Sequence, residues 1–209
     1  MIIHNTMRAV LLATVCLLTG CLARPHLDQQ SFIFAPPPPS APKVAPSGRV
    51  LGIRTLQVAA PFADRAFVYR TGDFSYERDP YAEFMVPPAD ELLSPVCGWM
   101  REAGVFHAVV QAGSALKPDT LVEIDVGQLY GDFRQAENAT AVLSMRFEFF
   151  DAPNGVPGKA ILQREYARKI PLKARTADAL IDGWNQALAQ ILASAMLDFG
   201  RSDANTPKP

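Results

Sequence analysis

Residues 139–150 read ATAVLSMRFEFF, and this stretch decides the fold. Its apolar and polar side chains alternate, which places one set on a buried face of a β-strand and the other on a wetter face. The buried set is Leu143, Met145, Phe147 and Phe149, and the wetter set is Ser144, Arg146 and Glu148. A strand of this kind is typical of an antiparallel sheet that is covered on one side.

The segments on either side extend this strand into a meander. Residues 121–129 alternate in the same way, with Val122, Ile124 and Val126 on one face. Residues 151–158 hold Asn154 and Gly155 between two prolines, which predicts a hairpin turn into a third strand over 159–170. The sequence therefore predicts three consecutive antiparallel strands.

The first half of the chain predicts shorter strands. Residues 50–58 alternate as a strand, and 66–70 and 81–86 are rich in strand-forming residues. The turn sequences Thr71-Gly72-Asp73 and Arg78-Asp79-Pro80 separate the last two.

Two segments predict helices. Residues 87–103 form the first, which begins either near Pro87 or at Ser94 as N-cap with Pro95 in the first position, since proline inside a helix costs about 3 kcal/mol. The second begins after Thr176 as N-cap, runs to about Phe199 and stops at Gly200. It carries an apolar stripe that predicts core packing against the sheet, the alternative being a groove for a partner. The stripe is formed by Leu180, Ile181, Trp184, Leu188, Ile191, Leu192, Ala195, Met196 and Phe199. We predict a single α+β domain with a mainly antiparallel sheet and about two helices on one face.

The N-terminus predicts a lipid anchor. Arg8 precedes an apolar run of about ten residues, too short to span a bilayer, and Leu18-Thr19-Gly20-Cys21 follows in the pattern of a bacterial lipobox. Residues 1–20 are a cleaved signal, and Cys21 carries a covalent diacylglyceryl lipid. The alternative is an ordinary signal peptide that contains a cysteine. Leu22 in place of aspartate favours the outer membrane over the inner membrane.

The mature chain divides into a tether, one domain and a tail. Residues 21–48 are rich in proline and predict an extended tether, or a stub whose length has no role. Residues 49–200 form the globular domain, and 201–209 are a polar tail. Because lipidation uses Cys21, we expect Cys97 to be a buried free thiol.

Composition excludes several function classes. Removing the signal takes away Arg8 and no acidic residue, so the mature net charge is about −2 and offers no basic surface for nucleic acid. The mature histidines are His26, beside the anchor, and His107, which we interpret as an ordinary surface residue. The sequence shows no nucleophile elbow, metal-ligand spacing or phosphate loop, so we expect no enzyme, no metal and no cofactor beyond the covalent lipid.

An ordered set of features from residue 49 to 199 resembles the ABC-type transport auxiliary lipoproteins of the PqiC-like kind. The features that carry the resemblance are an opening strand, Phe67-Val68-Tyr69-Arg70, aromatic residues Tyr76, Tyr81 and Phe84, Pro87-Pro88 before a helix, Ala103-Gly104-Val105-Phe106 before Val109-Val110, and a closing helix with Leu188 and Leu192. Phe84 stands near where the family has tryptophan.

The resemblance implies a non-enzymatic periplasmic subunit. Such a subunit works with an ABC transporter and an MCE-domain protein to move lipids between the two membranes. It also implies docking at the outer membrane and assembly into homo-oligomeric rings.

Seven aromatic residues lie between Phe62 and Phe84, and they suggest where a partner binds. Tyrosine beside arginine is favoured at protein interfaces, so Tyr69, Arg70, Tyr81 and Phe84 are the candidate partner-binding residues. The alternative is that these aromatics cover the sheet. The rival function is a periplasmic lipoprotein that binds a small apolar ligand or envelope polymer in its own pocket.

The anchor can be tested by Cys21→Ser. We expect unlipidated protein that fractionates with soluble or unprocessed material, because the thiol that accepts the lipid is gone. Membrane fractionation and mass spectrometry of the N-terminal peptide measure this. Unchanged fractionation, with no lipid on the wild-type peptide, would contradict the assignment.

Overall fold

The computed structural model describes residues 29–39, 46–111, 113–135 and 137–204. Within them an eight-stranded sheet carries two α-helices. The strands are β1 Gln30–Phe32, β2 Val50–Val58, β3 Ala66–Arg70, β4 Tyr76–Phe84, β5 Ala108–Gln111, β6 Thr120–Asp132, β7 Thr140–Asp151 and β8 Ala160–Pro171. The helices are α1 Pro88–Glu102 and α2 Ala177–Ala204.

Strand β6 is the centre of the sheet. One edge of β6 pairs with β7 along its whole length, and β7 pairs with β8, both antiparallel. The other edge of β6 is shared, because β2 pairs parallel with its first half and β3 pairs parallel with Gly131 and Asp132. From β3 the sheet continues to β4 and β1, and from β2 to β5.

The predicted α+β class and the β6–β7–β8 meander are confirmed. The sheet is mixed, because β2 lies parallel to both of its neighbours and β1 lies parallel to β4. The predicted alternation in β7 is confirmed at the buried side chains of Leu143, Met145, Phe147 and Phe149. Ser144, assigned to the wetter face, is also buried.

Helix α2 supplies the core with its apolar stripe, every member of which is buried. Trp184 lies at the centre, where its indole N–H donates to the carbonyl oxygen of Val142 at 3.2 Å. Its ring packs against Phe67 and Phe84, with centroids 4.9 and 5.6 Å away. The predicted N-cap is confirmed, because the Thr176 hydroxyl accepts from the backbone N–H of Ala179 at 3.2 Å.

The predicted stop at Gly200 is wrong, because α2 continues for one more turn to Ala204. That turn is held by Arg49, whose Nε donates to Oδ1 of the buried Asp203 at 2.8 Å. The same guanidinium donates to Asp151 at 2.9 Å. Glycine weakens a helix by only about 1 kcal/mol, and the charge-assisted hydrogen bond between Arg49 and the buried Asp203 offsets that cost.

The alternative start of α1 at Ser94 is also wrong. The helix begins at Pro88, with Pro87 as N-cap, so Pro95 lies in its interior. Proline there removes one backbone hydrogen bond. The buried residues on either side compensate: Leu92, Val96, Trp99 and Met100 are all at most 6% exposed. Packing therefore outweighs the backbone penalty.

The predicted turn at 78–80 lies inside strand β4, which begins at Tyr76 instead of residue 81 and ends at Phe84 instead of 86. The register between β3 and β4 shifts between Ala66 and Val68, which marks a β-bulge at this point. A bulge leaves residues unpaired, so Pro80 fits there without breaking a ladder bond.

The predicted tether over 21–48 is corrected by β1. Residues Gln30–Phe32 pair with β4, and Phe34 is buried on Phe84 with ring centroids 5.2 Å apart. Three hydrogen bonds fasten the next residues: the Phe34 N–H donates to Glu91, the Ala35 N–H donates to Asn185, and the Trp99 indole donates to the carbonyl oxygen of Pro37. The domain therefore starts at Gln30, not at residue 49.

Two further predictions concern cysteines. Cys97 is a buried free thiol in α1, as predicted. Cys21, with the rest of 1–28, lies outside the described residues, as does the end of the polar tail after 204.

Among the helices that the structure describes, none is long and apolar enough to cross a membrane.

Trp184→Ala should lower the free energy of unfolding by about 3 to 5 kcal/mol, because it empties a fully buried aromatic site. Denaturant titration of the domain measures the change. The exposed Gln186, on the same helix, is the matched control, and Gln186→Ala should stay within about 0.5 kcal/mol. A loss below about 1 kcal/mol for the tryptophan would contradict its core role.

Candidate functional site

The β3–β4 hairpin carries most of the candidate residues. Its turn is closed by Ser75, whose carbonyl oxygen accepts from the backbone N–H groups of Thr71 and Gly72 at 3.0 and 3.3 Å. Phe74 lies at the tip of this turn with 98% of its surface exposed. The turn predicted at 71–73 is therefore confirmed, and it presents an aromatic ring to solvent.

Arg70 stabilises the turn from the end of β3. Its Nε donates to the carbonyl oxygen of Gly72 at 3.2 Å, and its Nη2 donates to that of Asp73 at 2.8 Å. The guanidinium carbon lies 5.8 Å from the centre of the Tyr76 ring, which faces it across the ladder. Arg70 thus shapes the hairpin as well as presenting charge beside an exposed tyrosine.

Tyr69 points to the face of the sheet opposite to that of Arg70, and there its side chain is held by contacts within the domain. Its ring stacks on Phe133 with centroids 4.6 Å apart, and its hydroxyl donates to Asp79 Oδ2 at 2.5 Å. Burial raises the pKa of the Tyr69 hydroxyl well above its ordinary value, and the hydrogen bond to Asp79 raises it further. The hydroxyl therefore stays a neutral donor across the physiological pH range.

Tyr81 is the predicted candidate that is free to meet a partner. Its ring is 45% exposed. Its backbone N–H donates to Asp79 Oδ1 at 2.8 Å, and the same oxygen accepts from Ala82 at 3.1 Å. Asp79 thus fixes the backbone at the bulge, so that the Tyr81 ring is held on a rigid segment.

Phe84, also predicted as a partner-binding residue, lies in the core. It is 1% exposed and packs against Phe34, Phe67 and Trp184. A ring enclosed in this way cannot contact a partner on the surface. For Phe84, the alternative that hairpin aromatics cover the core is the observed one.

Tyr76 was not among the predicted candidates, although it is 47% exposed beside Arg70. Its ring packs edge-on against Tyr130, and Phe62 stacks on Tyr130 with centroids 5.6 Å apart. A strand that begins at Tyr76, directly after the turn, is the sequence signal for this residue, because the hairpin register then pairs Tyr76 with Arg70. We call Arg70, Tyr76 and Tyr81 the hairpin surface.

The described residues hold no group of three or more His, Cys, Asp or Glu side chains that could bind a metal ion. His107 is exposed just before β5, and its backbone N–H donates to the carbonyl oxygen of Arg49. Since β5 lies beside the start of β2, this histidine is at the opposite end of the sheet from the hairpin turn.

With the fold and the hairpin in place, comparison with known proteins identifies the family. The family model for the ABC-type transport auxiliary lipoprotein component matches residues 32–195. The chain belongs to this family. The match begins inside β1, in agreement with a domain that starts before residue 49. This auxiliary lipoprotein thus belongs to a transport-associated family, not to a family of enzymes.

Solved structures share the fold. A crystal structure from Xanthomonas campestris is 16% identical, has a TM-score of 0.72, and covers 85% of this chain and 100% of that one. An uncharacterized protein is 17% identical, with a TM-score of 0.56 and coverage of 79% and 98%. No curated protein matches the auxiliary lipoprotein. At these identities the likenesses describe the fold alone.

Arg70→Ala should speed hydrogen exchange at the Thr71 and Gly72 amides, because two hydrogen bonds to the turn are lost. Each such bond contributes about 1 kcal/mol, so local protection should fall by at least that amount. Exchange measured by NMR tests this. The control is Arg78→Ala on the same hairpin, which removes an exposed ion pair with Asp64 and should leave these two amides unchanged.

Proposed function

We propose that this auxiliary lipoprotein is an outer-membrane-anchored docking subunit of an ABC transporter that works with an MCE-domain partner in lipid transport between the membranes. Its family membership supports the link to ABC-type transport. The lipobox at Cys21 and the following Leu22 support the anchor and the choice of membrane. In this proposal the lipid on Cys21 is the sole bound group.

The observation that carries the docking role is the hairpin surface. Tyr76 and Tyr81 each expose close to half of their surface on a hairpin that Arg70 and Asp79 hold rigid. Rigid aromatic rings beside a guanidinium bury area at low entropic cost, which is typical of binding hot spots. We assign partner recognition to these side chains and a supporting role to Tyr69.

The rival function, a carrier with its own pocket, needs an enclosed apolar space of several hundred Å³. The region between α2 and the sheet is instead filled by ring contacts. Phe67 and Phe84 pack on Trp184, and Phe106 and Phe149 pack on Phe199 with centroids 4.7 and 4.9 Å apart. This dense packing favours docking over ligand storage.

Self-association is part of the proposal, because the sheet is open. Strand β8 has twelve residues and pairs only with β7 within the described part of the chain, which leaves its other edge available. At the far side of the sheet β1 and β5 form edges as well. Head-to-tail contact between unlike edges generates a ring if the rotation closes.

The docking role is tested by measuring capture of the MCE-domain partner by lipidated protein carrying Tyr81→Ala or Tyr76→Ala. If these side chains are hot spots, each change should weaken binding by about 1 kcal/mol or more while unfolding stays unchanged. Arg70→Ala should weaken binding too, although part of its effect comes from loosening the turn. His107→Ala, at the opposite end of the sheet, is the control and should bind as wild type does.

A different set of binding results would contradict the docking role. If capture survives the Tyr76, Tyr81 and Arg70 changes, while His107→Ala produces an envelope-permeability defect, the docking assignment is wrong. A carrier would instead be identified by lipid that copurifies with the domain and is lost when core residues are enlarged. Crosslinking in cells followed by identification of attached chains separates these two results.

A further inference from the structure

Phe74 has a position that partner docking does not explain. A single exposed apolar side chain is ordinary on a protein surface. This one is 98% exposed at the tip of a turn that Arg70 holds in place. What distinguishes Phe74 is that it lies on the side of the domain from which the N-terminal chain enters.

Strand β1 fixes that direction of entry. It runs parallel to β4, with Gln30 opposite Ala82 and Phe32 opposite Phe84. Since β4 starts at Tyr76, just after the hairpin turn, the N-terminal end of β1 points back toward that turn. The chain therefore enters β1 from the side of the domain on which Phe74 lies.

Chain length limits how far the domain can stand from the bilayer. Cys21 precedes Gln30 by about nine residues, which span at most roughly 30 Å when fully extended. The distance along β4 from Ala82 back to Tyr76 is about 20 Å. A lipid on Cys21 thus brings the hairpin turn close to the membrane surface. The β7–β8 turn, with Val156, lies at the other end of β6, roughly 40 Å away.

Charge at the turn is compatible with headgroups. Asp73, the neighbour of Phe74, pairs with Arg134 at 2.9 Å, and the same guanidinium pairs with Asp132 at 2.8 Å. Arg134 offsets one of these two negative charges and Arg70, beside the turn, offsets the other, so the four side chains together carry no net charge. This arrangement reduces repulsion from anionic lipids.

We propose that Phe74 inserts into the headgroup region of the bilayer that holds the Cys21 lipid. The proposal rests on the anchoring part of the proposed function. The lipid attaches the protein, and Phe74 adds a second contact that fixes its orientation, with the hairpin end of the sheet toward the membrane. Tyr76 and Tyr81 then lie on the part of the domain that is closest to the membrane surface.

Tryptophan fluorescence with quenching lipids tests the orientation. The lipidated mature protein, with either Phe74→Trp or Val156→Trp, is reconstituted into vesicles of phosphatidylethanolamine and phosphatidylglycerol with brominated phosphatidylcholine. Val156 is the matched control, because it is also exposed, at 64%, but lies at the opposite end of β6. Wild-type protein gives the baseline, since Trp99 and Trp184 are buried.

The expected result is a shift to shorter wavelength and strong quenching by brominated lipid for Phe74→Trp, with neither change for Val156→Trp. The proposal is overturned if vesicle-bound protein shows no quenching at position 74, or equal quenching at both positions. A shift without quenching at position 74 also overturns it and indicates cover by protein. Failure of the wild type to float with vesicles refutes anchoring itself, and this proposal with it.

Discussion

Strand β6 is the constraint on which the rest of the structure depends. Its thirteen residues pair with β7 on one edge and with both β2 and β3 on the other. Strand β6 therefore joins two parts of the sheet: β2 with β5, which pack against α1, and the β3–β4 hairpin. Gly131 lies at the point where β3 joins, and a Cβ there would come within 3.2 Å of Leu180, Phe133 and Tyr69. A side chain at this position would therefore push these three side chains away by a few tenths of an ångström and loosen the contact between the hairpin and α2.

The spacing of apolar residues correctly predicted those elements whose buried face is regular in the sequence. Strands β6 and β7 and the stripe of α2 have one apolar face that is regular over several residues, and the structure buries those faces. Trp184 could be predicted as buried for the same reason. The N-cap of α2 at Thr176 could also be predicted from the sequence, because an N-cap is a local interaction.

The predictions that were wrong concern residues whose structure is determined by contacts with residues far away in the sequence. Gly200 does not end α2, because Arg49 binds Asp203 from far away in the sequence. Phe84 is in the core because Phe34 and Trp184 enclose it, and neither contact can be inferred from the hairpin alone. Pro36 to Pro39 suggested a tether, yet carbonyl oxygens in such a segment can still accept, as that of Pro37 does from Trp99. Proline removes a donor and leaves the acceptor intact.

The attachment of β1 has a mechanical consequence. A load applied to the lipid of an anchored protein is transmitted along β1, parallel to the strand axis. The ladder to β4 is then pulled in shear, so its hydrogen bonds share the load together instead of opening one after another. The buried ring of Phe34 and the side-chain bonds from Asn185 and Trp99 lie beyond β1 and resist the same displacement. The load therefore passes into β4 and the two helices, and the chain leading to β2 carries it only after these contacts break.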